Sequence, residues 1–193
     1  MKLGETLADL ANRLSEAGAR FAVVGGLAAS AHGEARFTRD IDIAVAVSSD
    51  EEAESVVFQL MNQGYVVLAT VEQEATHRLA TARLQHPSGV ICDLIFATCG
   101  IEAEIVSGAE ELELFDERLV PTVSAEALVA MKVLSATDRR PRDLGDITAV
   151  MRANPDLDQD VVVGLLKAIM SRGFARGQDL VEKWSELCSR LGS

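Results

Sequence analysis

Residues 40–47 read Asp-Ile-Asp-Ile-Ala-Val-Ala-Val, and no other stretch constrains this chain as strongly. The octapeptide alternates polar and apolar residues at its start and then becomes wholly apolar, the pattern of a β-strand running into a core. Side chains two apart on a strand point to one face, so Asp40 and Asp42 project together from one end of a sheet. Ile41 and Ile43 fix the strand beneath and leave the acids no choice of face. Like charges that close repel, and one carboxylate has its pKa pushed up unless a cation sits between them. A hard divalent ion with oxygen ligands, such as Mg²⁺, is the natural neutraliser.

Upstream, Phe21–Val24 is a short apolar run that reads as a buried strand and stops at Gly25-Gly26; the Ala-rich Leu27–His32 then opens a helix. Two glycines between strand and helix let backbone N–H groups approach a phosphate closely, and the helix N-terminus favours its negative charge. Ser30, one turn into that helix, is a candidate hydroxyl contact. Downstream, Asp93 interrupts the apolar strand Val90-Ile91-Cys92-Asp93-Leu94-Ile95-Phe96. A lone carboxylate in such a strand is costly unless paired or metal-bound. Three acids on neighbouring strands make a site for two metals, one activating an attacking hydroxyl and the other holding a triphosphate and its leaving group.

The rest of the chain frames these residues. Residues 2–18 have the spacing of an amphipathic helix stopped by Gly18, and Ser49-Asp50-Glu51-Glu52 caps a second one running to about Asn62 with Gly64 as its stop. Tyr65–Val71 reads as a strand. Residues 77–85 and 90–97 read as an antiparallel hairpin across His86-Pro87-Ser88-Gly89. From Ser124 the pattern is helical, over 124–136, 142–152, 157–171 and 175–191. The expected fold is α/β (α+β): a mixed β-sheet core flanked by helices over residues 1–120, with a helical C-terminal part, 121–193, packed on it.

Composition excludes several classes. With 193 residues, 48% hydrophobic and 25% charged, the chain can bury a real core as one domain or a core with a small appendage. The longest weakly polar run, Phe21–Ala31, is too short to span a bilayer, and the first residues lack the pattern of a signal peptide, so a cytoplasmic location with no membrane partner is expected. Cys92, Cys99 and Cys188 have neither disulfide-framework nor zinc-ligand spacing. A net charge of −12 argues against a nucleic-acid partner, but the acidity is local. Residues 102–117 hold seven acids and no Lys or Arg, whereas 132–152 hold Lys132, Arg139, Arg140, Arg142 and Arg152 against three acids. Charge alone leaves the acceptor open.

The order strand, Gly-Gly, helix, Asp-x-Asp strand, later acid resembles the signature of the polymerase-β-type nucleotidyltransferase superfamily, and the thirteen residues between Gly26 and Asp40 lie within that superfamily's range. Met131-Lys132-Val133-Leu134 followed by Arg140-Pro141-Arg142-Asp143-Leu144-Gly145-Asp146 is similar to the abortive-infection, AbiEii-type nucleotidyltransferases, many of them toxins of toxin–antitoxin pairs. The resemblance covers roughly residues 20–150. It implies that Gly25, Gly26 and Ser30 hold phosphates and that Asp40, Asp42 and Asp93 bind two Mg²⁺ (or Mn²⁺) ions, Asp93 also activating the acceptor. Lys132 would reach the triphosphate and Asp143 would support Lys132 or its helix. Arg36 and Arg39 enter the Asp-x-Asp strand, where Arg39 would face the triphosphate or balance the acids. Gly26 stands where the superfamily more often has Ser.

The function so implied is transfer of a nucleoside monophosphate from an NTP to an acceptor, with RNA, and tRNA in particular, favoured, and with an antitoxin protein as a possible partner. A transferase acting on a small molecule or protein shares the site. A non-catalytic nucleotide- or partner-binding module of the same fold is the alternative from another class. A two-metal phosphatase or nuclease fits less well, because those sites usually recruit His ligands or more acids.

Overall fold

The computed structural model describes residues 2–74, 76–115, 118–137 and 140–191. Seven strands form one mixed sheet: β1 (Arg20–Val24), β2 (Asp40–Ala46), β3 (Val66–Glu72), β4 (Leu79–Gln85), β5 (Ile91–Ile95), β6 (Glu110–Phe115) and β7 (Arg118–Thr122), in the order β3-β4-β5-β2-β1-β7-β6. β2 lies antiparallel to β1 and parallel to β5 at the centre, and β1 runs parallel to β7.

Strand alternation divides the core into two layers. The odd residues of β2, Ile41, Ile43 and Val45, pack with α1 (Lys2–Glu16) and α3 (Asp50–Asn62). The even residue Ala44 faces the other way, with Ala22 and Val24 of β1, against a larger helical layer. That layer comprises α2 (Gly25–His32), α4 (Glu102–Ser107), α5 (Ala125–Ser135), α6 (Pro141–Ala153), α7 (Gln159–Ser171) and α8 (Leu180–Leu191). Asp40 and Asp42 therefore share the face of Ala44 and open toward α2 and α5 rather than α1 and α3.

Local chemistry sets the boundaries. Ser49 Oγ accepts from the Glu52 amide, and Glu52 accepts in return from the Ser48 amide at 2.7 Å, a reciprocal cap that starts α3. Ser124 caps α5 one-sidedly, its Oγ accepting from the Ala127 amide. Trp184 of α8 is buried in the core that also holds Ala22 and Val24, so the last helix reaches the layer that covers the central strands. Cys92 and Cys99 are buried and Cys188 is partly so.

Two elements were not expected. The acidic stretch forms α4 and the β6–β7 hairpin, whose alternation (Glu111, Leu112, Glu113, Leu114) was hidden by its charge. α8 begins at Leu180, because residues 175–179 form a loop. Arg139 lies outside the described residues.

Candidate active site

The register of the central strands builds the site. Asp42 and Asp93 are Cα partners on the parallel strands β2 and β5, neighbours that lie about 4.8 Å apart in a sheet. Val24, the last residue of β1, pairs with Asp42 from the other side. The chain then turns directly into α2, with Gly25 at φ +63°, in the left-handed region. A Cβ at Gly25 would stand 2.0 Å from Asp42 Oδ2, and one at Gly26 would meet Thr38 Oγ1 at 2.7 Å. Both glycines are thus required by close approach, and Gly25 also by its backbone conformation. The first amides of α2 open over the acids, and Gly26 N–H donates to Asp42 Oδ2 at 3.4 Å.

That long bond is a weak partner for a carboxylate removed from water. Burial, and then the neighbouring charge of Asp93, push the Asp42 carboxyl from its ordinary 3.8 up to about 6, against opposing contributions from the Gly26 amide and Lys132. Asp93 is buried and answered differently. Arg83, on β4, is its cross-strand partner and clamps it bidentately, with Nε to Oδ1 at 2.8 Å and Nη2 to Oδ2 at 2.6 Å. Arg83 itself is half-exposed, and Asp93 holds its guanidinium firmly charged.

A second ionic group closes the opposite wall. Lys132 of α5 reaches Asp143 and Asp146 of α6 at 2.8 Å each, and Arg36 binds Asp146 at 2.8 Å. All three members on α5 and α6 are largely buried. The two groups flank one open cleft of about 1060 Å³, also lined by Gly25, Gly26, Thr38, Asp40, Asp42 and Asp93.

Of the residues expected from sequence, Gly25, Gly26, Asp40, Asp42, Asp93, Lys132 and Asp143 come together here. Ser30 and Arg39 do not line the cleft. The Ser30 hydroxyl donates to the Gly26 carbonyl one turn back, at 3.0 Å, and accepts from the Arg36 amide at 3.3 Å, so it braces the loop rather than facing a phosphate. Arg39 is exposed, its guanidinium 5.5 Å from the Phe37 ring centroid. The two-residue alternation of β2 continues upstream, so that Arg36, Thr38, Asp40 and Asp42 share the cleft and Arg39 falls on the other side. Arg83 is the residue sequence reading missed. The expected 77–85/90–97 hairpin carried the signal, because pairing its arms brings Arg83 opposite Asp93.

The donor set suits a hard divalent cation: hard oxygen ligands on adjacent strands, one of them desolvated and nearly unpartnered. Asp93 is the exception in its present contacts, since Arg83 already neutralises it. Among the described residues no three His, Cys, Asp or Glu side chains converge on one point closely enough to hold a metal ion by themselves.

The family described as "Nucleotidyl transferase AbiEii toxin, Type IV TA system" matches residues 8–183. The chain belongs to it. It is accordingly a nucleotidyltransferase, and its mixed sheet with flanking helices recurs in solved structures of that fold. The structure of ANT(2")-Ia in complex with adenylyl-2"-tobramycin superposes with a TM-score of 0.60 at 20% identity, over 89% of this chain and 99% of that one. An antigenic nucleotidyltransferase-like protein from Paracoccidioides brasiliensis gives 0.54 at 18% identity, over 97% and 91%. No curated protein matches significantly. Among the described residues no helix is long and apolar enough to cross a membrane.

Proposed function

We propose that this AbiEii-family transferase moves a nucleoside monophosphate from an NTP onto an RNA acceptor, tRNA foremost, with Mg²⁺ held by Asp40, Asp42 and Asp93, and that it is the toxin of a toxin–antitoxin pair. The observation that carries the catalytic reading is the in-register Asp42–Asp93 pair beneath the amides of α2. When bound, divalent ions would offset triphosphate charge and lower the pKa of the acceptor hydroxyl. The chain's own groups do the rest. The Gly25 and Gly26 amides and the N-terminus of α2 receive phosphate oxygens, and Lys132 adds a cation whose direction Asp143 and Asp146 hold. The acceptor oxygen attacks the α-phosphorus, the bond to pyrophosphate breaks, and the acceptor proton passes to Asp93. Arg83 clamps Asp93 in place for that role until the cleft fills.

A cleft of about 1060 Å³ lies at the upper end of the range for ligand sites, with room for a nucleotide and the end of an acceptor. The same wall includes Val71, Ile95, Leu128 and Met131, an apolar surface that favours a second reading, transfer to a small molecule. Incubation with each α-labelled NTP, Mg²⁺, and in turn total RNA, aminoglycosides and protein decides between them. Label in RNA with wild type and none with Asp40→Ala/Asp42→Ala supports the first reading. Label only in small molecules replaces the acceptor, and label in none removes the transferase reading.

A further inference from the structure

Five cationic side chains line the cleft: Arg36, Arg83, Lys132, Arg140 and Arg176. Three are committed, Arg36 to Asp146, Arg83 to Asp93, and Lys132 to Asp143 and Asp146. Arg140 and Arg176 are exposed and have no ion-pair partner among the described residues. In a chain with 30 acids against 18 basic residues, two guanidinium groups on one cleft wall without an ion pair among the described residues run against the charge balance.

The α7–α8 loop that carries Arg176 is held on both sides of it. Phe174 is buried against Gly100, where a Cβ would stand 2.5 Å from its ring. Arg172 pairs with Glu104 and donates to the Gly100 carbonyl. Gln178 donates to the Leu134 carbonyl at 3.4 Å and Lys183 to the Ala136 carbonyl, at the end of α5. Arg140 lies only four residues beyond Ala136 and precedes α6. Both arginines therefore flank the end of the helix that presents Lys132.

Arg176 also adopts a left-handed backbone, φ +54°, between Gly173 and Gly177 at φ +82° and +74°. A glycine would occupy that position without strain, and a long cationic side chain stands there instead. Among the described residues its guanidinium makes one long hydrogen bond, to the Thr98 carbonyl at 3.4 Å. That conformation, kept by a long charged side chain on the wall of the cleft, is consistent with a role beyond packing.

We infer that Arg140 and Arg176 form a phosphate-binding subsite beside the acids, which engages the phosphates of a bound nucleotide chain. The inference rests on the cleft being the transferase active site, and it deepens that reading by adding a basic wall that the net charge of −12 conceals. Two sources supply the same chemistry, the phosphodiester backbone of an RNA acceptor and the triphosphate of the NTP.

The test measures binding of a non-hydrolysable ATP analogue with Mg²⁺, and of fluorescently labelled total tRNA across a salt series. It compares wild type, Arg140→Gln/Arg176→Gln and Arg176→Gly. We expect the double variant to lose about tenfold or more in affinity for one of the probes. If the probe is RNA, the slope of log affinity against log salt falls by about 1–2. Loss for tRNA alone assigns the subsite to the acceptor, and loss for the analogue alone assigns it to the triphosphate. Arg176→Gly relieves the strained backbone, so its melting temperature holds or rises while binding falls, which separates recognition from folding. Unchanged affinity of both variants for probes that wild type binds overturns the inference and leaves the transferase reading intact. Wild type binding neither probe overturns both.

Discussion

At the scale of single residues, Asp42 is the most informative group. Its unfolded carboxyl titrates near 3.8 and its folded one near 6. Between those values the folded state holds a proton that the unfolded state has lost, so stability falls as pH rises from about 4 to 6. The metal-free protein should therefore gain from Asp42→Asn by roughly 1–2 kcal/mol above pH 7, with the gain vanishing below pH 4. Urea titrations at several pH values check this, and an equal effect at all pH values would contradict it. Gly25→Ala should be severe, because it combines a left-handed φ with a 2.0 Å approach to Asp42. A lowered melting temperature and loss of nucleotide-dependent stabilisation are expected. Arg83→Gln should leave Asp93 free for cations and tighten Mn²⁺ binding to the nucleotide-free protein several-fold, measured by calorimetry; weaker binding would show that the clamp organises the acids instead. Asp40, Asp42 and Asp93 were legible because carboxylates in apolar strands carry a cost that needs an explanation. Ser30 and Arg39 were not placed correctly, because helix back-bonding and strand parity, rather than residue type, decided where they point.

At the scale of elements, α5 and α6 act through one ionic group. Lys132 lies between two largely buried carboxylates, so its removal leaves like charges facing each other with Arg36 as the direct ion-pair partner left among the described residues. Lys132→Ala should cost about 3 kcal/mol of stability, and its loss of activity should be read against a melting curve for that reason. A variant that melts like wild type but is inactive would restrict the role of Lys132 to the substrate. Most helices and central strands could be read from period and caps, Ser49 and Ser124 among them. The β6–β7 hairpin could not, since glutamates at alternate positions of an exposed edge pair look like a solvated charge run. Arg83 lay in a strand that was read correctly, but its importance follows from cross-strand register, which a single strand's pattern does not carry.

At the scale of the whole molecule, one apolar layer joins Ala22, Val24 and Ala44 of the sheet to Trp184 on the last helix. We therefore propose that residues 1–120 and 121–193 do not melt separately. Calorimetry should show one transition, and Trp184→Ala should lower it by an amount equivalent to about 3–5 kcal/mol; two resolved transitions would contradict a shared core. Asp40, Asp42 and Asp93 are proposed to form a cation-dependent nucleotide site. The measurement that tests it most directly is the thermal shift caused by a non-hydrolysable NTP analogue with Mg²⁺ and with a chelator, in wild type and in Asp40→Asn/Asp42→Asn. A shift of several degrees is expected only for wild type with Mg²⁺, since a ligand that binds the folded state alone raises its stability. An equal shift in chelator, or in the variant, would contradict it.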